Sequence, residues 1–200
     1  MGPVEPSYVG PGGASPDQTA ATSAGAAPAE LRRVLARFAT GVAVVTARAN
    51  EVDFAMTANS FTSVSLQPPL VLFCVDKTAR FHQVVVTAGG WGVSVLGAWQ
   101  EPVSRWYATR GRPDTDQLAG FGWVRGRLGS ALLAEAIATL ECATIAVHDG
   151  GDHTIVVGEV LDATTAPGAV TPLVFFESRY LGLPAGQRPP HRPTAGPDAP

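Results

Sequence analysis

Between Leu132 and Thr165 the chain reads LLAEAIATLECATIAVHDGGDHTIVVGEVLDATT. Two long stretches rich in Val, Ile, Thr and Ala flank an Asp-Gly-Gly-Asp turn, the pattern of two antiparallel strands joined by a tight reversal. Other segments carry the same β-branched, apolar character: VAVVTAR (42–48), a strand through Phe54 and Met56 after a turn at Ala49-Asn50-Glu51, LVLFCV (70–75), WGVSVL (91–96) after the Gly89-Gly90 break, and PLVFFESRYLGL (172–183) as a last strand. Helical spacing is confined to a few places. In PAELRRVLARFATG, residues Leu31, Val34, Leu35 and Phe38 share one face opposite Arg32, Arg33 and Arg37, and Gly41 ends the helix. TARFHQVVV and EPVSRWYATR read as two more helices. Many strands, few helices and no strict βαβ alternation predict a mostly β fold, an antiparallel barrel with a few flanking helices.

Residues 1–28 are Gly, Pro, Ala, Ser and Thr with almost no aliphatic side chains, and 184–200 are Pro-rich in the same manner. Neither segment can bury enough surface to offset the entropy of ordering, so both are predicted to be disordered tails. The domain is then 29–183, about 155 residues, enough for one core. Of the 200 residues, 46% are hydrophobic and 16% charged, with a net charge of -3, and no basic face for nucleic acid or anionic membrane is indicated. No apolar run reaches the roughly 18–20 residues of a membrane span, and no secretory signal is evident, so a cytoplasmic protein is expected. Cys74 and Cys142 lie in apolar runs and read as free buried thiols. No Cys/His cluster has metal spacing.

MTANSFTSVSLQPPL (56–70) stands out between two strand-like segments: Thr57, Asn59, Ser60, Thr62, Ser63 and Ser65 crowd into nine positions. Small residues let a backbone approach a ligand closely, and hydroxyls with backbone N–H groups suit a phosphate, a polyol or the edge of a heteroaromatic ring. An ordinary Ser/Thr-rich turn has the same composition. DKTAR (76–80) opens a helix with Thr78, Lys77 and Arg80 near its start, the chemistry either of an anion site or of a solvated helix end. His153 leaves the tight turn of the long hairpin, as a surface residue or as a ligand-facing one.

FATGVAVVTA, MTANSFTSVSLQPPLVLFCV, GDHTIVVGEV and ESRY, in this order and spacing, resemble the flavin reductase-like family of short-chain NAD(P)H:flavin oxidoreductases, the reductase components of two-component flavin monooxygenases. The resemblance covers about Leu31 to Leu183. It implies an FMN-binding split barrel, a homodimer, FMN or FAD and NADH or NADPH as cofactors, and a partner monooxygenase served by diffusible reduced flavin. Position by position, it implies that Thr57, Ala58, Asn59, Ser60 and Phe61 line the isoalloxazine and ribityl, with Ser63, Val64 and Ser65 continuing that wall. Cys74, Asp76, Lys77, Thr78 and Arg80 would finish the pocket, Arg80 near the phosphate, with Arg179 and Tyr180 close to the bound nucleotides. His153 would sit by the nicotinamide as the catalytic residue. The chain departs from the family pattern at Ala55, Ser94, Trp99 and Trp106. Two other activities fit the same barrel: a flavoprotein that keeps its flavin and acts on an organic substrate, and a non-catalytic flavin- or heme-binding module.

Overall fold

A computed structural model of the chain describes residues 25–112, 118, 120–168 and 170–183. Nearly all of both predicted tails lies outside the described residues. The elements in chain order are helix α1 (Pro28–Leu35), strands β1 (Thr40–Gly41), β2 (Ala43–Ala49), β3 (Val52–Ala58), β4 (Thr62–Leu66) and β5 (Pro69–Asp76), and helix α2 (Arg80–Thr87). They continue with β6 (Gly90–Val95), a 3-10 turn at Ala98–Gln100, α3 (Glu101–Ala108), β7 (Trp123–Arg125), β8 (Ala131–Leu133), β9 (Ala138–Gly150), β10 (His153–Thr165), β11 (Leu173–Phe176) and β12 (Arg179–Gly182).

Seven strands form one sheet in the order β3-β2-β6-β9-β10-β5-β4, antiparallel at every pairing. Its two edge strands, β3 and β4, are consecutive in the chain and joined by Asn59, Ser60 and Phe61 alone. Laid flat, seven strands would hold those edges about 29 Å apart, whereas so short a link reaches about 14 Å. The sheet must therefore curl until its edges meet, which makes it a barrel with a seam at residues 59–61. Ser60 stitches that seam: its Oγ accepts from the Cys74 N–H at 3.0 Å and donates to the Cys74 carbonyl at 3.2 Å. The long β9–β10 hairpin bends with two register shifts, at Val157/Gly158 and Val160/Asp162. Gly158 admits the barrel's largest buried ring, since a Cβ there would lie 2.5 Å from Trp91. Trp91 meets Phe73 edge-on at 4.9 Å between centroids.

Alternation on β2 divides the core in two. Ala43, Val45 and Ala47 face the barrel interior with Phe73, Val75, Phe81, Val85, Trp91, Val93 and Val156. Val44 faces outward with Ala55, Leu96, Val103, Tyr107 and Leu173, beneath α3 and the β11–β12 hairpin. Both faces of β2 are covered, which is why its residues from Ala43 to Ala47 are all buried and, Thr46 apart, apolar.

Three expectations needed revision. The last strand is a hairpin, because Glu177 and Ser178 take left-handed φ values of 47° and 61° and reverse the chain. The first arm of the long hairpin is two strands, β8 and β9, broken by a turn after Leu133. The first helix stops at Leu35, well before Gly41, and buries none of its residues. Its apolar stripe lies open, Phe38 just beyond it being 73% exposed. Among the described residues no helix is long and apolar enough to cross a membrane. Cys74 and Cys142 are free thiols, and burial pushes the Cys142 thiol up to about 12.

Candidate active site

Edge strand β3 carries Phe54, Ala55, Met56 and Thr57 past the start of α2 and the end of α3. Together these elements line a cavity of about 510 Å³. Asp76, the last residue of β5, lies in its wall with Thr78 and Arg80, and the segment after α3 adds Thr109, Arg110 and Arg112. Among the described residues, the charged lining is three guanidinium groups and one carboxylate.

The carboxylate is organised by its neighbours. Thr78 donates to Asp76 Oδ1 from its hydroxyl at 2.7 Å and its N–H at 2.8 Å, and Arg110 Nη2 donates to Oδ2 at 3.0 Å. The Thr78 hydroxyl, then its N–H, hold the Asp76 carboxyl below its ordinary value, with Arg110 and His153 adding to the effect. Arg112 is the most enclosed cation. Its Nη2 donates to the Ala55 carbonyl at 2.7 Å, and its guanidinium stands 4.8 Å over the Tyr107 ring. Burial pulls the Arg112 pKa down; Tyr107 opposes this and the charge of Arg80 adds to it.

Of the residues expected from the sequence, Thr57, Asp76, Thr78 and Arg80 line this cavity. Ala58 is buried in the barrel core and Phe61 packs on it. Ser60 and Cys74 form the seam described above. Asn59, Ser63 and Val64 are exposed, Ser65 Oγ accepts from the Gln67 N–H at 3.2 Å, and none of these four lines the cavity. Lys77 is paired with Asp149. His153 does not line the cavity; it stands in register with the wall residue Asp76 across the β5–β10 ladder, with Nδ1 2.7 Å from Asp152 Oδ1. The His153 hydrogen bond holds the Asp152 carboxyl below its ordinary value. Arg179 is exposed on β12 and does not reach the cavity. Tyr180 reaches it indirectly: its hydroxyl bonds Ser104 Oγ at 2.8 Å, and the Ser104 carbonyl accepts from Thr57 Oγ1 at 2.7 Å.

Sequence reasoning missed Tyr107, Arg110 and Arg112. The available signal was Arg-Gly-Arg straddling Gly111, whose φ of 74° turns the chain back after α3. Of the four positions that depart from the family pattern, Ala55 and Ser94 serve packing. Ala55 is buried in the outer core, and Ser94 accepts from the Leu133 N–H at 2.9 Å. Trp99 lies over Gly97, where a Cβ would meet its ring at 2.5 Å, and Trp106 is partly exposed on α3.

The model of the flavin reductase like domain matches residues 35–184, and the chain belongs to that family. It is 51% identical over 140 residues to an NADH-dependent FAD reductase of Streptomyces globisporus, covering 69% of this chain and 76% of that one. To the flavin-dependent monooxygenase reductase subunit HsaB of Mycobacterium tuberculosis it is 37% identical over 157 residues, 78% of this chain and 82% of that one. The solved structure of the Streptomyces globisporus NADH:FAD oxidoreductase SgcE6, in complex with NAD and FAD fragments, superposes with a TM-score of 0.71 at 44% identity, covering 82% of this chain and 94% of that one. The barrel is accordingly the split barrel of flavin reductases.

Proposed function

We propose that this protein is an NADH-dependent flavin reductase, the component that supplies reduced flavin to a flavin-dependent monooxygenase. The observation that carries the reading is the cavity beside the barrel seam, where a strand of small and apolar residues meets three arginines, in a chain of this family. Bound flavin supplies the redox chemistry, its ring N5 accepting hydride from the nicotinamide. The protein's task is to bind and orient. β3 lines the cavity from Phe54 to Thr57 with largely apolar surface for the ring, and Arg80, Arg110 and Arg112 suit the phosphates of FMN or FAD. The test is steady-state oxidation of NADH and of NADPH with riboflavin, FMN and FAD each in excess. Turnover with NADH and a flavin nucleotide is expected; no oxidation with any flavin would overturn the reading.

His153, cross-strand neighbour of the cavity residue Asp76, is assigned to the nicotinamide. His153→Ala is expected to raise the apparent KM for NADH, or slow anaerobic flavin reduction, by about tenfold, the scale of one lost hydrogen bond. Flavin affinity should stay within about twofold, since the ring wall lies on β3. Wild-type reduction kinetics in stopped flow would remove His153 from the nicotinamide site.

A homodimer is part of the same proposal. Leu31, Val34, Leu35 and Phe38 form an uncovered stripe, while the Ala36 carbonyl accepts from the Glu177 N–H at 2.9 Å and Arg37 pairs with Glu177 at 2.9 Å, tying the end of α1 to the β11–β12 turn. Burying each such side chain contributes about 1.5–3 kcal/mol. Light scattering at micromolar concentration should give a dimer, and Leu35→Glu combined with Phe38→Glu should raise its dissociation constant at least about a hundredfold. A wild-type monomer that binds flavin normally would refute this.

A further inference from the structure

Among the described residues three threonines line the cavity, and each commits its only hydroxyl proton to the protein. Thr57 donates to the Ser104 carbonyl at 2.7 Å, Thr78 to the Asp76 carboxylate at 2.7 Å, and Thr109 to the Arg105 carbonyl at 2.8 Å. A carbonyl or carboxylate oxygen has no proton to return, so these directions are fixed. Toward the cavity, the three hydroxyls can present lone pairs only. A phosphate also presents acceptors, so these threonines cannot hold one without first breaking a bond to the protein. The anion is left to the arginines.

Thr57 is the most firmly held of the three. Ser104, which receives its proton, is fully buried, and Ser104 Oγ is itself bonded to the Tyr180 hydroxyl at 2.8 Å. Tyr180 is packed against Phe175 and lies under the Arg105 guanidinium at 4.9 Å. The carbonyl of α3 that orients Thr57 is therefore anchored from the far side by the β11–β12 hairpin. Thr57 also follows Phe54, Ala55 and Met56 along β3, the part of the lining suited to a ring.

We infer that Thr57 is a hydrogen-bond acceptor of fixed polarity and that it selects its ligand by taking the imide N–H of the isoalloxazine ring. This rests on the flavin reading above. Tyr180 then acts as a positioning residue through Ser104, without touching the nucleotide. An isoalloxazine imide is a donor flanked by two carbonyl acceptors, and methylation at N3 removes that donor while leaving the rest of the ring intact.

The test is equilibrium titration of the full chain with riboflavin and with N3-methylriboflavin, in wild type, Thr57→Val and Thr57→Ser. Riboflavin lacks phosphate, so the arginines do not mask the effect. The wild type is expected to prefer riboflavin by about tenfold, the value of one hydrogen bond in a partly enclosed site. Thr57→Ser should keep that preference and Thr57→Val should lose it. Equal wild-type binding of the two ligands would overturn the assignment. So would a preference that survives in Thr57→Val, which would mean that the methyl group is rejected by its bulk. If the wild type binds none of riboflavin, FMN and FAD, the flavin reading itself falls, and this inference with it.

Discussion

Glu141→Ala is expected to lower the stability of the protein by about 3 kcal/mol, the sum of lost charge-assisted hydrogen bonds and stranded donors. Glu141 is 1% exposed at the middle of the barrel strand β9. Its carboxylate accepts from the Leu128 N–H at 3.0 and 3.1 Å and from the Ser130 N–H at 3.0 Å. Gly126 closes on it so tightly that a Cβ there would fall 2.3 Å from the carboxylate. The link between β7 and β8 is thus wrapped around one buried acidic group. Removing that group leaves two main-chain donors without a partner. In a chain of this size the loss corresponds to a fall in Tm of roughly 6–12 °C. Glu141→Gln, which keeps one acceptor oxygen, should fall by less. A melting temperature for Glu141→Ala within about a degree of wild type would refute the anchoring role. The consequence reaches the site, because β7 holds Trp123, whose ring meets the cavity residue Tyr107 edge-on at 5.8 Å. Loosening the hairpin should therefore also weaken flavin binding.

Glu141 shows where reading the sequence stops. Its place inside ATLECATIAV marks a charge in a buried strand, but its partners are main-chain N–H groups 11 and 13 residues away, and residue types do not reveal them. The strands themselves were legible because composition decides them. VAVV is apolar at four successive positions since β2 is covered on both faces, and Asp-Gly-Gly-Asp reverses the chain where Gly151 takes a φ of 78°. The turn at Glu177-Ser178 was not legible, because neither residue type is typical of the left-handed conformation it adopts. The stripe on α1 is legible as apolar, and in the structure it stays exposed. Periodicity identifies which side of a helix is apolar, whereas what covers that side depends on the rest of the fold.

The same division runs through the site. The hydroxyl row of 57–65 was visible as hydroxyls. The direction in which each hydroxyl points its proton depends on partners as distant as Ser104, 47 residues beyond Thr57, and Cys74, 14 beyond Ser60. Arg110 and Arg112 were overlooked because EPVSRWYATR was taken as helix to its end. The helix stops at Ala108, and the chain then turns the two guanidinium groups toward Arg80 from a different element.

Arg80→Ala is expected to weaken the binding of FMN and FAD by about tenfold to a hundredfold and to leave riboflavin nearly unaffected. The range corresponds to the roughly 1.5–3 kcal/mol of one hydrogen bond to a charged group. The cavity's hydroxyl protons on Thr57, Thr78 and Thr109 are committed to the protein, so a ligand phosphate has the guanidinium groups as its side-chain donors there. All three arginines have partners within the protein, Arg110 with Asp76 and Arg112 with the Ala55 carbonyl and the Tyr107 ring. Arg80 differs in opening α2, where helix N–H groups also favour an anion. Arg80→Lys should recover part of the affinity as a point charge without the planar fork. Raising the salt concentration should narrow the gap between wild type and Arg80→Ala for FMN and FAD, and should not change riboflavin binding. Equal weakening of all three flavins would place Arg80 away from the phosphate, leaving Arg110 and Arg112 to hold it.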